Sequence, residues 1–184
     1  MIKSLRSATA VLTTAVAALV LTVLGPAGTA SAGVLDVTCT PPSSQVDTFT
    51  PPLSMTPQNV TVGITSQLGP CVSLSNPAIT SGSINFSALV PGLSCLDLLQ
   101  SGSITYTIVW NTGQTSTVSA NYTVTIVGAA LVVTRTGTVT SGLFTGSAVL
   151  QVITGPAADV LLCTAGLGTV SSTYSLVTLE ITSL

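Results

Sequence analysis

Asp97 and Asp159 are the two acids whose surroundings match. Each lies in a short segment that opens on a proline and carries a Leu/Val run and a cysteine. The segments are Pro91-Gly92-Leu93-Ser94-Cys95-Leu96-Asp97-Leu98-Leu99 and Pro156-Ala157-Ala158-Asp159-Val160-Leu161-Leu162-Cys163. A pair of carboxylates on either side of a scissile bond is the device of glycoside hydrolysis, and it requires the two within about 10 Å. The competing reading is that an Asp ahead of a short Leu run caps a helical turn by accepting backbone N–H bonds. We prefer capping for both.

The remaining chemistry is limited by what is missing. The chain has no histidine, and its only cations are Lys3, Arg6 and Arg135. Without His, the Ser-His-Asp and Cys-His arrangements and His-bound metals are out of reach. Without a lysine beyond Lys3, so are Ser-Lys dyads and Schiff bases. One arginine in a negatively charged chain cannot build a phosphate or nucleic-acid surface. The spacing of Asp36, Asp47, Asp97, Asp159 and Glu180 does not match a calcium loop. We therefore expect a non-enzyme with no catalytic, cofactor-binding or metal-ligating residues, no cofactor and no nucleic-acid partner.

Trp110, Tyr106 and Tyr122 could form a carbohydrate platform if exposed. Their phase within alternating strands favours core packing. Asn59, Asn85 and Asn121 each open an Asn-x-Ser/Thr triplet, which matters only in a host that glycosylates secreted chains.

The elements that position these residues read as strands. In Ser103–Trp110 the large apolar residues fall at 104, 106, 108 and 110, the period of a strand with one buried face. Asn111-Thr112-Gly113 supplies a reversal, and the chain returns with Val118, Ala120, Tyr122, Val124 and Ile126 on one face. Similar alternation marks Val60, Val62 and Ile64, then Ala148, Leu150 and Val152, then Leu179 and Ile181. Weaker candidates are 35–40, 78–86, 131–139 and 169–176. The Pro-rich stretch with Pro41-Pro42, Pro51-Pro52 and Pro57 is read as an irregular edge segment that cannot supply central strands. About nine strands without an amphipathic helix predict an all-β fold, an Ig-like two-sheet antiparallel β-sandwich.

Residues 1–32 form a predicted cleavable signal peptide. Lys3 and Arg6 provide the positive start, Ala8 to Leu24 is uncharged, and Ala30-Ser31-Ala32 is a small-x-small site that places cleavage between Ala32 and Gly33. Residues 33–184 are then one domain, with no membrane span in the mature form and an extracellular address. A Thr-Ser-Gly before each Pro-led segment suggests a degenerate repeat over roughly 78–127 and 138–184. Export explains the four cysteines Cys39, Cys71, Cys95 and Cys163 as two disulfides. Of three possible pairings, Cys39–Cys71 with Cys95–Cys163 is favoured, because the second bridge would clip the two related segments together.

The mature chain resembles uncharacterised secreted proteins of Streptomyces and related actinomycetes. The likeness rests on Leu93-Ser94-Cys95-Leu96-Asp97-Leu98-Leu99, on Tyr106–Trp110 with Asn111-Thr112-Gly113-Gln114-Thr115, and on Gly137-Thr138-Val139-Thr140-Ser141-Gly142-Leu143-Phe144. The resemblance implies no activity. The enediyne-binding apoproteins of the same organisms are secreted sandwiches with two disulfides, but their cysteine spacings differ. The expected role is structural or binding, at or near the cell surface, toward a cell-wall or extracellular component. Carriage of a small apolar ligand is the first alternative and a carboxylate-dependent glycan hydrolase the second.

Overall fold

Strand-forming Thr, Val and Ile fill ten strands in the computed structural model, which describes residues 35–183. The predicted signal and its cleavage point at Ala32 and Gly33 lie outside the described residues. The strands are β1 (Leu35–Cys39), β2 (Ser44–Leu53), β3 (Gln58–Leu68), β4 (Cys71–Val72), β5 (Gly82–Leu93), β6 (Gly102–Trp110), β7 (Thr115–Val127), β8 (Ala130–Gly142), β9 (Ala148–Pro156) and β10 (Val170–Thr182). A 3-10 helix, Cys95–Leu99, joins β5 to β6, and α1 (Ala158–Thr164) joins β9 to β10.

The strands pair in the order β2-β3-β5-β6-β7-β8-β9-β10, and β10 pairs again with β2. That last pairing runs antiparallel from Val170↔Leu53 to Leu176↔Ser44. It closes the sheet into an eight-stranded antiparallel β-barrel. β1 lies on the same edge of β10 beyond β2, from Leu35↔Thr182 to Cys39↔Leu179, and β4 adds to β1.

The barrel corrects the expected Ig-like two-sheet sandwich. Alternation shows that each strand has one buried face, but not what covers it. A second sheet or the far wall of the same sheet satisfies the pattern equally. The closing pair decides, and it joins residues 126 positions apart, such as Asp47 and Thr173. The Pro-rich segment also differs from expectation. β2 pairs on both sides, with β3 over Ser44–Thr50 and with β10. Pro41-Pro42 and Pro51-Pro52 bracket the stretch that donates to both neighbours, so they interrupt no ladder within it.

The walls are uneven. β7–β8 pair over Ser116↔Gly142 to Val127↔Ala130, whereas β5–β6 pair only at Gly82↔Trp110 and Ser83↔Val109. Gly82 permits that contact, since a Cβ there would lie 2.9 Å from the Trp110 ring. Beyond it, β5 and β6 do not pair with each other, and each keeps only its outer neighbour, β3 or β7.

Two apolar clusters form. The larger joins Val37, Leu68, Ile84, Ile108, Trp110, Val118, Val149, Leu179 and Ile181 around the Cys39–Cys71 disulfide. Leu143 and Phe144 pack against it from the β8–β9 connection and close that end. Trp110 meets Phe144 edge-on at 5.9 Å, and its indole N–H donates to the Ser116 hydroxyl at 2.8 Å. The smaller cluster joins Phe49, Leu53, Val60 and Val170 to the Cys95–Cys163 disulfide at the helix-bearing end. Both pairings match the sequence expectation, and the second bridge ties the 3-10 helix to α1.

The outer face is dominated by Thr, Ser and Asn. Thr61, Thr65, Asn85, Ser103, Thr105, Ser119, Asn121, Thr123 and Thr136 are exposed, while the inner face is largely apolar. This is the reverse of a membrane-spanning barrel, whose apolar band faces outward. No helix among the described residues is long and apolar enough to cross a membrane.

Candidate functional site

Of the two carboxylates singled out by spacing, Asp97 is engaged locally and Asp159 makes no side-chain cap bond. Asp97 caps its own helix: its Oδ2 accepts from the Ser94 backbone N–H at 2.8 Å and from the Ser94 hydroxyl at 2.7 Å. Asp159 sits exposed in the first turn of α1. Asp36 is buried and accepts from Ser75 at 3.0 Å and Ser147 at 2.7 Å, tying two connections to β1. Trp110 and Tyr106 are buried and Tyr122 partly so, which removes the carbohydrate platform. Asn59, Asn85 and Asn121 are all exposed. Among the described residues, no group of three or more His, Cys, Asp or Glu could hold a metal.

The chemistry gathers inside the barrel instead. Inward positions alternate along each strand, and those of neighbouring strands lie level where the register pairs them. On β8 the inward set is Leu131, Val133, Arg135 and Val139, and Arg135 pairs with Tyr122 of β7 and Gln151 of β9. The one arginine among the described residues is thus a lumen residue, 6 % exposed. Its Nη1 donates to Gln151 Oε1 at 3.0 Å, and its guanidinium lies 5.5 Å from the Tyr106 ring centre. Across the lumen, Gln45 donates to Asp47 at 2.8 Å, Thr173 donates to Asp47 at 3.2 Å, and Ser66 donates to Gln45 at 3.0 Å.

Burial dominates the electrostatics. It pushes the Asp47 carboxyl above its ordinary value, more than the Arg135 charge and the two hydrogen bonds pull it down. Burial raises the Tyr106 phenol to about 12 against the opposing pull of Arg135. It lowers Arg135 against the attraction of Tyr106, Asp47 and Tyr122. An arginine stays cationic regardless.

Three polar groups of this layer have no partner: Arg135 Nε, Gln151 Nε2 and the Tyr106 hydroxyl. Leaving a buried donor unmade costs about 1–3 kcal/mol each, and native interiors carry few such groups.

The layer lies between the Trp110–Phe144 end and the helix-bearing end, where Phe49, Leu53, Val60 and Val170 are buried around the Cys95–Cys163 disulfide. On β3 and β5–β8 the inward positions Ile64, Phe86, Ile104, Tyr122, Val124, Ile126, Leu131 and Val133 are only partly covered. Phe86 is inward in phase, opposite Ile64, yet 36 % exposed, because β5 has no partner on the β6 side there. The inward face thus combines a buried apolar cluster at each end, a polar layer, and a partly exposed apolar stretch on β5–β8. Outside the barrel, a shallow groove of about 540 Å³ runs along Val127, Ala130, Thr154, Pro156, Tyr174 and Leu176.

Sequence reasoning missed this layer through one phase error. Ala148, Leu150 and Val152 were expected to face the core, but Val149, Gln151 and Ile153 do. Leu150 is 40 % exposed and Gln151 is fully buried. Both phases of Ala148–Ile153 contain apolar residues, so hydrophobicity could not choose. The directly opposed Arg135 was the usable signal, since a buried arginine requires a polar neighbour.

Comparison with known protein families, curated proteins and solved structures finds no match for this chain.

Proposed function

We propose that the protein is an extracellular barrel that binds a small, largely apolar molecule in its lumen and holds it without transforming it. The observation that carries this reading is the asymmetry of the lumen. One end is sealed by Trp110, Leu143 and Phe144. On β5–β8, inward-facing Phe86, Ile104, Val124, Ile126 and Val133 keep partial contact with solvent. A barrel of this strand number has an interior that side chains fill or that holds one small ligand, and ligand sites are concave, mostly apolar and furnished with a few polar groups. Two disulfides and the hydroxyl-rich exterior suit an extracellular carrier. The mature protein is tested by thermal unfolding against a panel of uncharged lipophilic compounds. A ligand at 100 times its Kd adds about 2.7 kcal/mol, which raises the Tm by roughly 5–10 °C in a domain of this size. A flat response across the panel refutes the reading.

A further inference from the structure

We infer that the lumen is built for an amphipathic monocarboxylic acid, with the carboxylate on Arg135, Gln151 and Tyr106 and the apolar tail along the partly exposed inward residues of β6–β8. This rests on the lumen being a ligand site and assigns its chemistry.

The first support is the inventory of donors. Arg135 offers five N–H groups in a planar fork. Among the described residues its one hydrogen-bond partner is Gln151, and its Nε has none. Gln151 is fully buried, and its oxygen serves Arg135 while its amide nitrogen is unpartnered. The Tyr106 hydroxyl is also buried and unpartnered. All three can donate, and their common complement is an acceptor-only group with several lone pairs. A carboxylate has two oxygens with about four such sites and suits the guanidinium plane.

The second support is that no residue of the chain already fills this role. Asp47 feels the Arg135 charge, but its oxygens accept from Gln45 and Thr173. The Tyr106 ring lies against the guanidinium, a contact that fixes the plane of the fork without using its N–H edge.

The third support is placement. By register Tyr106 lies level with Val118 and Gln151 with Leu179, and the next inward residues on the same strands, Ile108 and Val149, are buried and apolar. On the other side are the solvent-reached Ile104, Val124, Leu131 and Val133. A molecule lying along the partly exposed inward residues of β6–β8 meets apolar side chains along its length and hydrogen-bond donors at its tip. That order matches a charged head with an apolar tail, inserted head first.

The test compares decanoate with 1-decanol, which share a tail, by calorimetric titration of the mature protein, of Y106F and of R135M. We expect decanoate to bind wild type at least tenfold tighter than 1-decanol. Y106F keeps the ring and deletes one donor to a charged acceptor, so decanoate should weaken roughly tenfold with 1-decanol unchanged. R135M should abolish the preference. If R135M fails to fold, Y106F still decides. Equal affinity of wild type for the two ligands, or a preference that survives Y106F and R135M, overturns the head-group assignment and leaves the lumen reading standing. Binding of neither overturns both. A crystal structure with decanoate elsewhere and ordered waters on Arg135 Nε, Gln151 Nε2 and the Tyr106 hydroxyl also overturns it.

Discussion

Replacing Cys95 and Cys163 together by alanine should cost the fold about 4 kcal/mol. The bridge closes a loop of 68 residues. On the chain-entropy argument, a cross-link of that span removes roughly 4.4 kcal/mol of freedom from the unfolded chain at 25 °C. Both cysteines are fully buried in the smaller cluster with Phe49, Leu53, Val60 and Val170. Alanine is smaller than cysteine, so packing there can only add to the loss. At about 2–4 °C per kcal/mol in a domain of this size, the Tm should fall by roughly 10–15 °C. The barrel wall is untouched, because neither residue belongs to a strand. The variant should therefore fold and keep its strand content by circular dichroism. Its urea m-value should rise, since the unfolded chain is free to expand. The assay is equilibrium urea unfolding of the two proteins. A loss below about 1 kcal/mol with an unchanged m-value would show that the bridge does not restrict the unfolded ensemble. Loss of strand signal in the absence of denaturant would show that the bridged helices hold the barrel closed.

Three further outcomes follow from the interior. Asp47 is held above its ordinary value of 3.8 chiefly by burial. A raised carboxyl contributes stability below its unfolded value and loses it as pH rises through the folded one. D47N should therefore raise the urea midpoint at pH 7 and not at pH 3, and a lower midpoint at pH 7 contradicts this. S116A removes the acceptor of the Trp110 indole N–H and the hydroxyl that donates to the Leu143 carbonyl at 2.6 Å. Two buried orphans at about 1–3 kcal/mol each predict a loss of roughly 2–5 kcal/mol by urea unfolding, and a loss under 1 kcal/mol refutes it. G137A would place a Cβ on the Ser119 carbonyl oxygen and 2.6 Å from the Ala120 Cα. Strand backbones must then separate, at about 1–3 kcal/mol, and unchanged stability would deny the close approach.

Local order was legible and closure was not. The hairpin around Asn111-Thr112-Gly113 stands where alternation places it, with Ile104↔Ala120 and Tyr106↔Val118 paired on one face. The cysteine pairing followed from two similar corner segments, and these do meet as the 3-10 helix and α1. Capping by Asp97 was readable because it spans three residues. The sandwich expectation failed because the deciding contact, β10 with β2, joins the two ends of the fold. Prolines added to the error. Their number argues against a central strand, yet they mark only its ends, and Ser44–Thr50 between them supplies Gln45 and Asp47 to the lumen.

The site was hidden for a different reason. A rule that apolar residues face inward works where the core is uniform, and this core is not. Val149, Gln151 and Ile153 form one inward row in which the central member is polar. A search for alternating hydrophobicity is drawn to Leu150 instead. Arg135 sits in the same way within Val133, Arg135 and Val139. The two exceptions face each other across the β8–β9 register. Each alone would be an expensive burial; together they satisfy one hydrogen bond and leave Nε and Nε2 without a partner. An apolar pair of similar size at these two positions would avoid both the desolvation of a charge and the unmade bonds. That such a pair is absent, in a chain with only three Lys and Arg residues, is the physical ground for treating this layer as a binding device rather than as part of the scaffold.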